Sequence, residues 1–223
     1  VQDIPLSTLT PYIDWTFFFA AWELKGRFPA VLDHPEYGQA ARELFTNATT
    51  LLDRLVNERL IHASGVYGFW PAAADDDDIV VYGDAQRSVE LTRFNMLRQQ
   101  EKLSQGKPNL SLADFVADRS TGAADHVGAF ALTAGLGAEE LARGFEHAND
   151  DYNAILVKAL ADRLAEAFAA YLHKISREDW GFSTAIDPED VVAERHRGIR
   201  PGFGYPACPD HSEKFKLFDL LDE

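Results

Sequence analysis

Helical and strand-like patterns occupy separate blocks of this 223-residue chain, the order expected of an α+β fold rather than an alternating α/β one. Three observations carry that class. A three-and-four apolar repeat runs from Pro35 to Leu60, short β-type segments follow between Gly65 and Thr133, and a helical pattern extends almost unbroken from Ala138 to Arg177. Hydrophobic content of 46% with 12% aromatic residues suits one large domain or two small ones. Lys and Arg number 21 against 36 Asp and Glu, so the net charge is 21 − 36 = −15. With no basic stripe, nucleic acid is excluded as a general partner.

Residues 1–11 are expected to be an N-terminal tether, with one domain from 12 to 223. Six aromatics then fall within the eleven residues Tyr12–Trp22, with Asp14 among them. Asp14 suits a helix N-cap; a carboxylate inside such a cluster would otherwise need a cationic partner. In Pro35–Leu60 the residues Ala41, Leu44, Phe45, Ala48, Leu51, Leu52, Leu55 and Val56 give a helix packed by one face. Gly65–Pro71 and Ile79–Tyr82 read as two strands around Asp75–Asp78, whose four carboxylates suit a solvated hairpin tip better than a calcium loop. Val89–Phe94 is a third strand and His126–Thr133 a buried fourth, while Leu110–Val116 is ambiguous. The last long helix, around 150–174, follows a break at Asn149-Asp150 and carries the apolar stripe Ile155, Leu156, Leu160, Leu164, Phe168 and Leu172. Asp151, Asp162, Glu166 and His173 share another face. That face fits a solvated surface, a metal site or a socket for a positive ligand.

Arg197–Pro209 contains three Pro, three Gly, two Arg and Tyr205, so it is neither helix nor central strand. Glycine permits close backbone approach to a flat ligand, and Arg200 offers a planar fork for a carboxylate. The same composition also suits a rigid connecting loop. Thr133–Glu139 has only G-x-G and reads as a turn opening a helix. Asp33-His34-Pro35-Glu36-Tyr37-Gly38 misses the cobalamin pattern D-x-H-x-x-G by one residue, because position 32 is Leu32. Cys208, the only cysteine, excludes an intrachain disulfide and, with His211, makes half a zinc site at best, so no metal is expected. No signal peptide is visible, and no apolar run approaches the roughly 20 residues of a membrane helix. A cytoplasmic protein is expected.

Six strings resemble one known family. They are Tyr12–Phe19, Gly65–Gly68, Leu112–Val116, Asp150–Asn153, Val157–Phe168 and Gly198–Pro209. In order, and over nearly the whole chain, they look like the C-terminal activation domain of cobalamin-dependent methionine synthase. The resemblance implies an α+β fold with a twisted antiparallel sheet and a shallow groove for S-adenosylmethionine. It also implies a role in reactivation: flavodoxin or a related reductase supplies an electron to inactive cob(II)alamin, and S-adenosylmethionine then remethylates the cobalt. Family ligand contacts fall on Asp14, Glu166, Arg200, Gly202, Gly204 and Tyr205. Arg27 and Asp162 match positions facing the cobalamin-binding domain of the same polypeptide. No catalytic residue is expected, since cob(I)alamin is the nucleophile and the protein positions the reactants.

Relatives continue beyond the equivalent of Leu221, so the chain is expected to be a fragment that binds S-adenosylmethionine weakly or not at all in calorimetry. Without cobalamin, homocysteine or folate modules it is expected to catalyse nothing alone. The alternative is a docking module for flavodoxin and the cobalamin domain with no small-molecule site. The missing Rossmann glycines argue against a free-standing methyltransferase. A docking patch for an acidic flavodoxin would need local basic residues, for which Arg93, Arg98 and Lys102 are the candidates.

Overall fold

The computed structural model describes residues 3–104, 106–181 and 186–222. In chain order it contains α1 (Leu6–Leu9), α2 (Trp15–Ala21), α3 (Gly38–Asn57), β1 (His62–Asp75), β2 (Asp78–Tyr82), β3 (Glu90–Asn95), β4 (Asp125–Leu136), α4 (Ala138–His147), α5 (Asp151–Asp179), α6 (Pro188–Val192) and α7 (Glu213–Leu221). The strands form an antiparallel sheet in the order β3-β2-β1-β4, so the α+β expectation holds. Contacts divide the chain into two compact units: Val1–Gly65 with Leu132–His196, and Val66–Ala131 with Arg197–Glu223.

In the first unit α5 is the central support. Leu156, Leu160, Leu164, Phe168 and Leu172 are fully buried along one face, as their spacing requires, whereas Ile155 lies outside the stripe and is 56% exposed. Against it packs α3 through Ala41, Leu44, Ala48, Leu51, Leu52 and Leu55. The aromatic run forms a cluster of edge-on pairs in which Trp15 meets Phe18 at 5.2 Å and Phe45 at 4.9 Å between ring centroids. Such pairs add to the area they bury because ring edges are positive and faces negative.

Residues 3–11, the described part of the expected tether, are packed in the structure. Ile4, Leu6 and Leu9 are buried, and the Ile4 amide donates to the Ala63 carbonyl at 3.0 Å. Between α4 and α5 the chain turns as expected at Asn149, which adopts φ 57°; Asp150 then caps α5 by accepting from the Asn153 amide at 3.1 Å. Thr133–Glu139 is the turn that opens α4. Its Gly137 has φ 91° and lies so close to the Leu60 carbonyl that a Cβ would crowd it.

The second unit is built on β2. Ala72 pairs with Val81 and Ala74 with Ile79 on one side, while Ile79 pairs with Phe94 on the other. Ala72, Ala74, Ile79, Val81, Phe94, Met96, Ala113 and Cys208 form its core, with Phe203, Leu217 and Leu220 packed against them. The strand expected to be buried, β4, is an edge strand whose burial alternates at its start and is complete only at Ala134. The ambiguous Leu110–Val116 segment is a 3-10 turn, Leu112–Phe115, closed by a reciprocal capping box between Ser111 and Asp114.

The Asp75–Asp78 tip differs from the solvated turn expected of it. Arg93 reaches Asp75 at 2.9 Å and Asp78 at 3.4 Å, and Arg119 reaches Asp75 at 3.5 Å. Arg98 pairs with Asp77 and, at 2.8 Å, with Asp114. Two of the three residues proposed as a basic docking patch are thus neutralised within their own unit; Lys102 is exposed. Among the described residues no helix is long and apolar enough to cross a membrane.

Candidate functional site

In the second unit the loop after Arg200 is a closed, self-bonded turn. The Tyr205 amide donates to the Gly202 carbonyl at 3.1 Å, the Cys208 amide to the Tyr205 carbonyl at 2.9 Å, and the Gly204 amide to the Cys208 carbonyl at 2.9 Å. Cys208 Sγ also lies 3.2 Å from the Gly202 carbonyl, and the Leu112 amide anchors the turn on the Ala207 carbonyl at 2.8 Å. Burial holds the Cys208 thiol above its ordinary pKa, so this cysteine is a protonated packing group rather than a nucleophile.

Gly204 has φ 106°, a conformation open to glycine, and the His211 imidazole fills the space into which a Cβ would project. Tyr205 stands 63% exposed at the rim, while Arg200 is half-buried. The shape of the turn is thus set by its own hydrogen bonds.

The remaining expected residues belong to the first unit. Asp14 caps α2, its carboxylate accepting from the Thr16 amide at 2.8 Å. Of the two roles open to it in the sequence, the cap is the one the structure shows. Glu166 projects from α5 as an exposed carboxylate, and among the described residues no hydrogen bond or ion pair engages it. Asp162, one turn earlier, is 68% exposed and pairs with the adjacent Arg163. Arg27 is exposed beside the 3-10 turn Ala30–Asp33. His34 stacks on Tyr37 with ring centroids 3.6 Å apart.

Residues 5–223 match the family model described as the activation domain of vitamin B12 dependent methionine synthase. The chain belongs to that family. It is similar to a crystal structure of the MetH reactivation domain bound to AdoHcy, with 45% identity and a TM-score of 0.92, over 100% of this chain and 69% of that one. A methionine synthase activation domain is part of a methyltransferase that depends on cobalamin. What the sequence did not reveal in this activation domain is the packing of His211 on Gly204, seven residues away, and the pairing of the arginines with the acidic tip. The only signal for the latter was the presence of Arg93 and Arg98 downstream of four adjacent carboxylates.

Proposed function

We propose that this activation domain binds S-adenosylmethionine and presents it for remethylation of cobalamin held by another domain of methionine synthase. The observation that carries the reading is the likeness, along the whole chain, to a reactivation domain solved with AdoHcy, the demethylated form of that molecule. The residue chemistry fits. The amino-acid end of S-adenosylmethionine has one carboxylate and one ammonium. Arg200 supplies a guanidinium fork for the first, and Asp14 and Glu166 supply carboxylates for the second. Each charge-assisted hydrogen bond contributes about 1.5–3 kcal/mol. The loop of Gly202, Gly204 and the exposed Tyr205 is proposed to offer backbone groups to the flat adenine.

When bound, S-adenosylmethionine supplies a methyl group activated by its sulfonium. The domain's residues orient that group; none has to move a proton. Flavodoxin or an equivalent reductase is the proposed electron donor, and Arg27 and Asp162 are the proposed contacts with the cobalamin-binding domain. The fragment by itself is proposed to be non-catalytic.

Calorimetric titration of S-adenosylmethionine into the chain, and into a methionine synthase that carries it, tests the reading. Arg200→Ala and Glu166→Gln should each weaken binding roughly tenfold or more, the equivalent of one lost charge-assisted bond. Binding absent from both proteins, or indifferent to both substitutions, would overturn it. A docking module without a ligand would show the first of these outcomes while partner association persisted.

A further inference from the structure

We infer that His211 is a positioning residue for the proposed ligand loop, an imidazole wedge that fixes the Gly202–Cys208 turn in its binding shape. The inference rests on the reading of this loop as part of an S-adenosylmethionine site. His211 does not belong to the turn's own hydrogen-bond ring, yet its imidazole lies against Gly204, where the backbone is held at φ 106°. Lys214 Nζ lies 3.2 Å from His211 Nδ1. An ammonium can only donate, so Nδ1 accepts and the ring carries its proton on Nε2. That bond fixes the plane of the ring that faces Gly204.

Asp210 completes the setting. It accepts from the Ser212 amide at 2.8 Å and hydroxyl at 2.7 Å, and these bonds, the hydroxyl first, hold its carboxyl below its ordinary pKa. The start of α7 is thereby tied off, and Lys214 on its first turn is placed to orient the imidazole. Gly204 and His211 are complementary: a side chain at 204 would occupy the imidazole's volume, and a small residue at 211 would leave the turn without a backstop. Glycine reaches φ 106° without steric cost and is as free to leave it, so the imidazole packed on Gly204 limits the alternatives open to this backbone.

The single cysteine gives the experiment an internal reporter, because Cys208 is 2% exposed and its thiol sits on the Gly202 carbonyl inside the same turn. His211→Ala should raise the rate of Cys208 labelling by an aromatic disulfide reagent roughly tenfold in the unliganded protein, through local opening of the turn. Its melting temperature should stay at the wild-type value, because His211 is exposed. S-adenosylmethionine affinity in the enzyme carrying the domain should fall roughly fivefold to tenfold, the share that loop pre-organisation supplies. His211→Phe keeps the flat ring and should restore most of both properties. Wild-type labelling in His211→Ala overturns the inference whatever the ligand does. Faster labelling with unchanged affinity, where Arg200→Ala does weaken binding, makes His211 a structural brace only and also overturns it. If neither His211→Ala nor Arg200→Ala alters affinity, the reading of the loop as a ligand site fails instead.

Discussion

At the scale of single residues, Asp14 has an observed role as a cap and a proposed one toward a ligand, and substitution can separate them. Its Oδ1 accepts the Thr16 amide at 2.8 Å and so satisfies one of the orphan donors at the start of α2. The proposed function also asks it to face a ligand ammonium. Asparagine preserves a capping oxygen and removes the charge; alanine removes both. Asp14→Asn should keep the melting temperature of the wild type and lose S-adenosylmethionine affinity, whereas Asp14→Ala should also lose about 1 kcal/mol of stability in denaturant unfolding. Equal affinity in wild type and Asp14→Asn would confine Asp14 to the cap. The capping role was legible in the sequence, since a carboxylate immediately before an apolar run is a local signal. The backstop at Gly204 was not, because nothing in Gly204-Tyr205-Pro206-Ala207-Cys208-Pro209-Asp210-His211 announces which way the chain will fold back.

At the scale of elements, the β1–β2 hairpin carries an electrostatic consequence. Four adjacent carboxylates repel one another, and the fold answers with Arg93, Arg98 and Arg119 drawn from three other places in the same unit. Sequence periodicity located the strands, but it is blind to cross-strand charge, so the tip reads as solvated until the arginines are placed. Asp114 marks the consequence most clearly. The Arg98 guanidinium, helped by the Ser111 amide, holds its carboxyl below the ordinary 3.8. A lowered folded pKa means stability that is present above the unfolded value and lost as pH falls through the folded one. Acid should therefore weaken the second unit below about pH 4. Arg98→Met should flatten that acid limb while lowering stability at neutral pH, as followed by chemical denaturation at several pH values. An acid limb of unchanged steepness in Arg98→Met would show that the network contributes nothing to folding.

At the scale of the whole molecule, each unit is assembled from two stretches of chain, and this division has no compositional mark. A Pro/Gly/Ser-rich linker would have shown it, but the chain crosses between units within β1, within β4 and just before the loop at Arg197. The helices were readable because their apolar residues recur every three or four positions, and the irregular loop at 197–209 because its glycines and prolines are concentrated. The grouping was hidden because it depends on contacts between distant segments. In the second unit, Phe203, Cys208, Leu217 and Leu220 close the core formed by β2 and β3. Lys216 Nζ donates to the Arg93 carbonyl at 2.9 Å and to Asn95 Oδ1 at 2.8 Å, and buried Glu213 accepts the Asn95 amide at 3.1 Å. The sheet residues of that unit thus depend on a segment more than a hundred positions away in sequence. Ending the chain after His196 should strip hydrogen-exchange protection from residues 72–96, since Phe94 loses Phe203 and Asn95 loses Glu213 and Lys216. The amides of Leu156, Leu160, Leu164 and Phe168 should stay protected, because their packing partners on α3 and α4 belong to the retained unit. Full protection of the sheet in the shortened chain would show that the hairpin folds without α7, and loss of protection throughout α5 would show that the two units unfold as one.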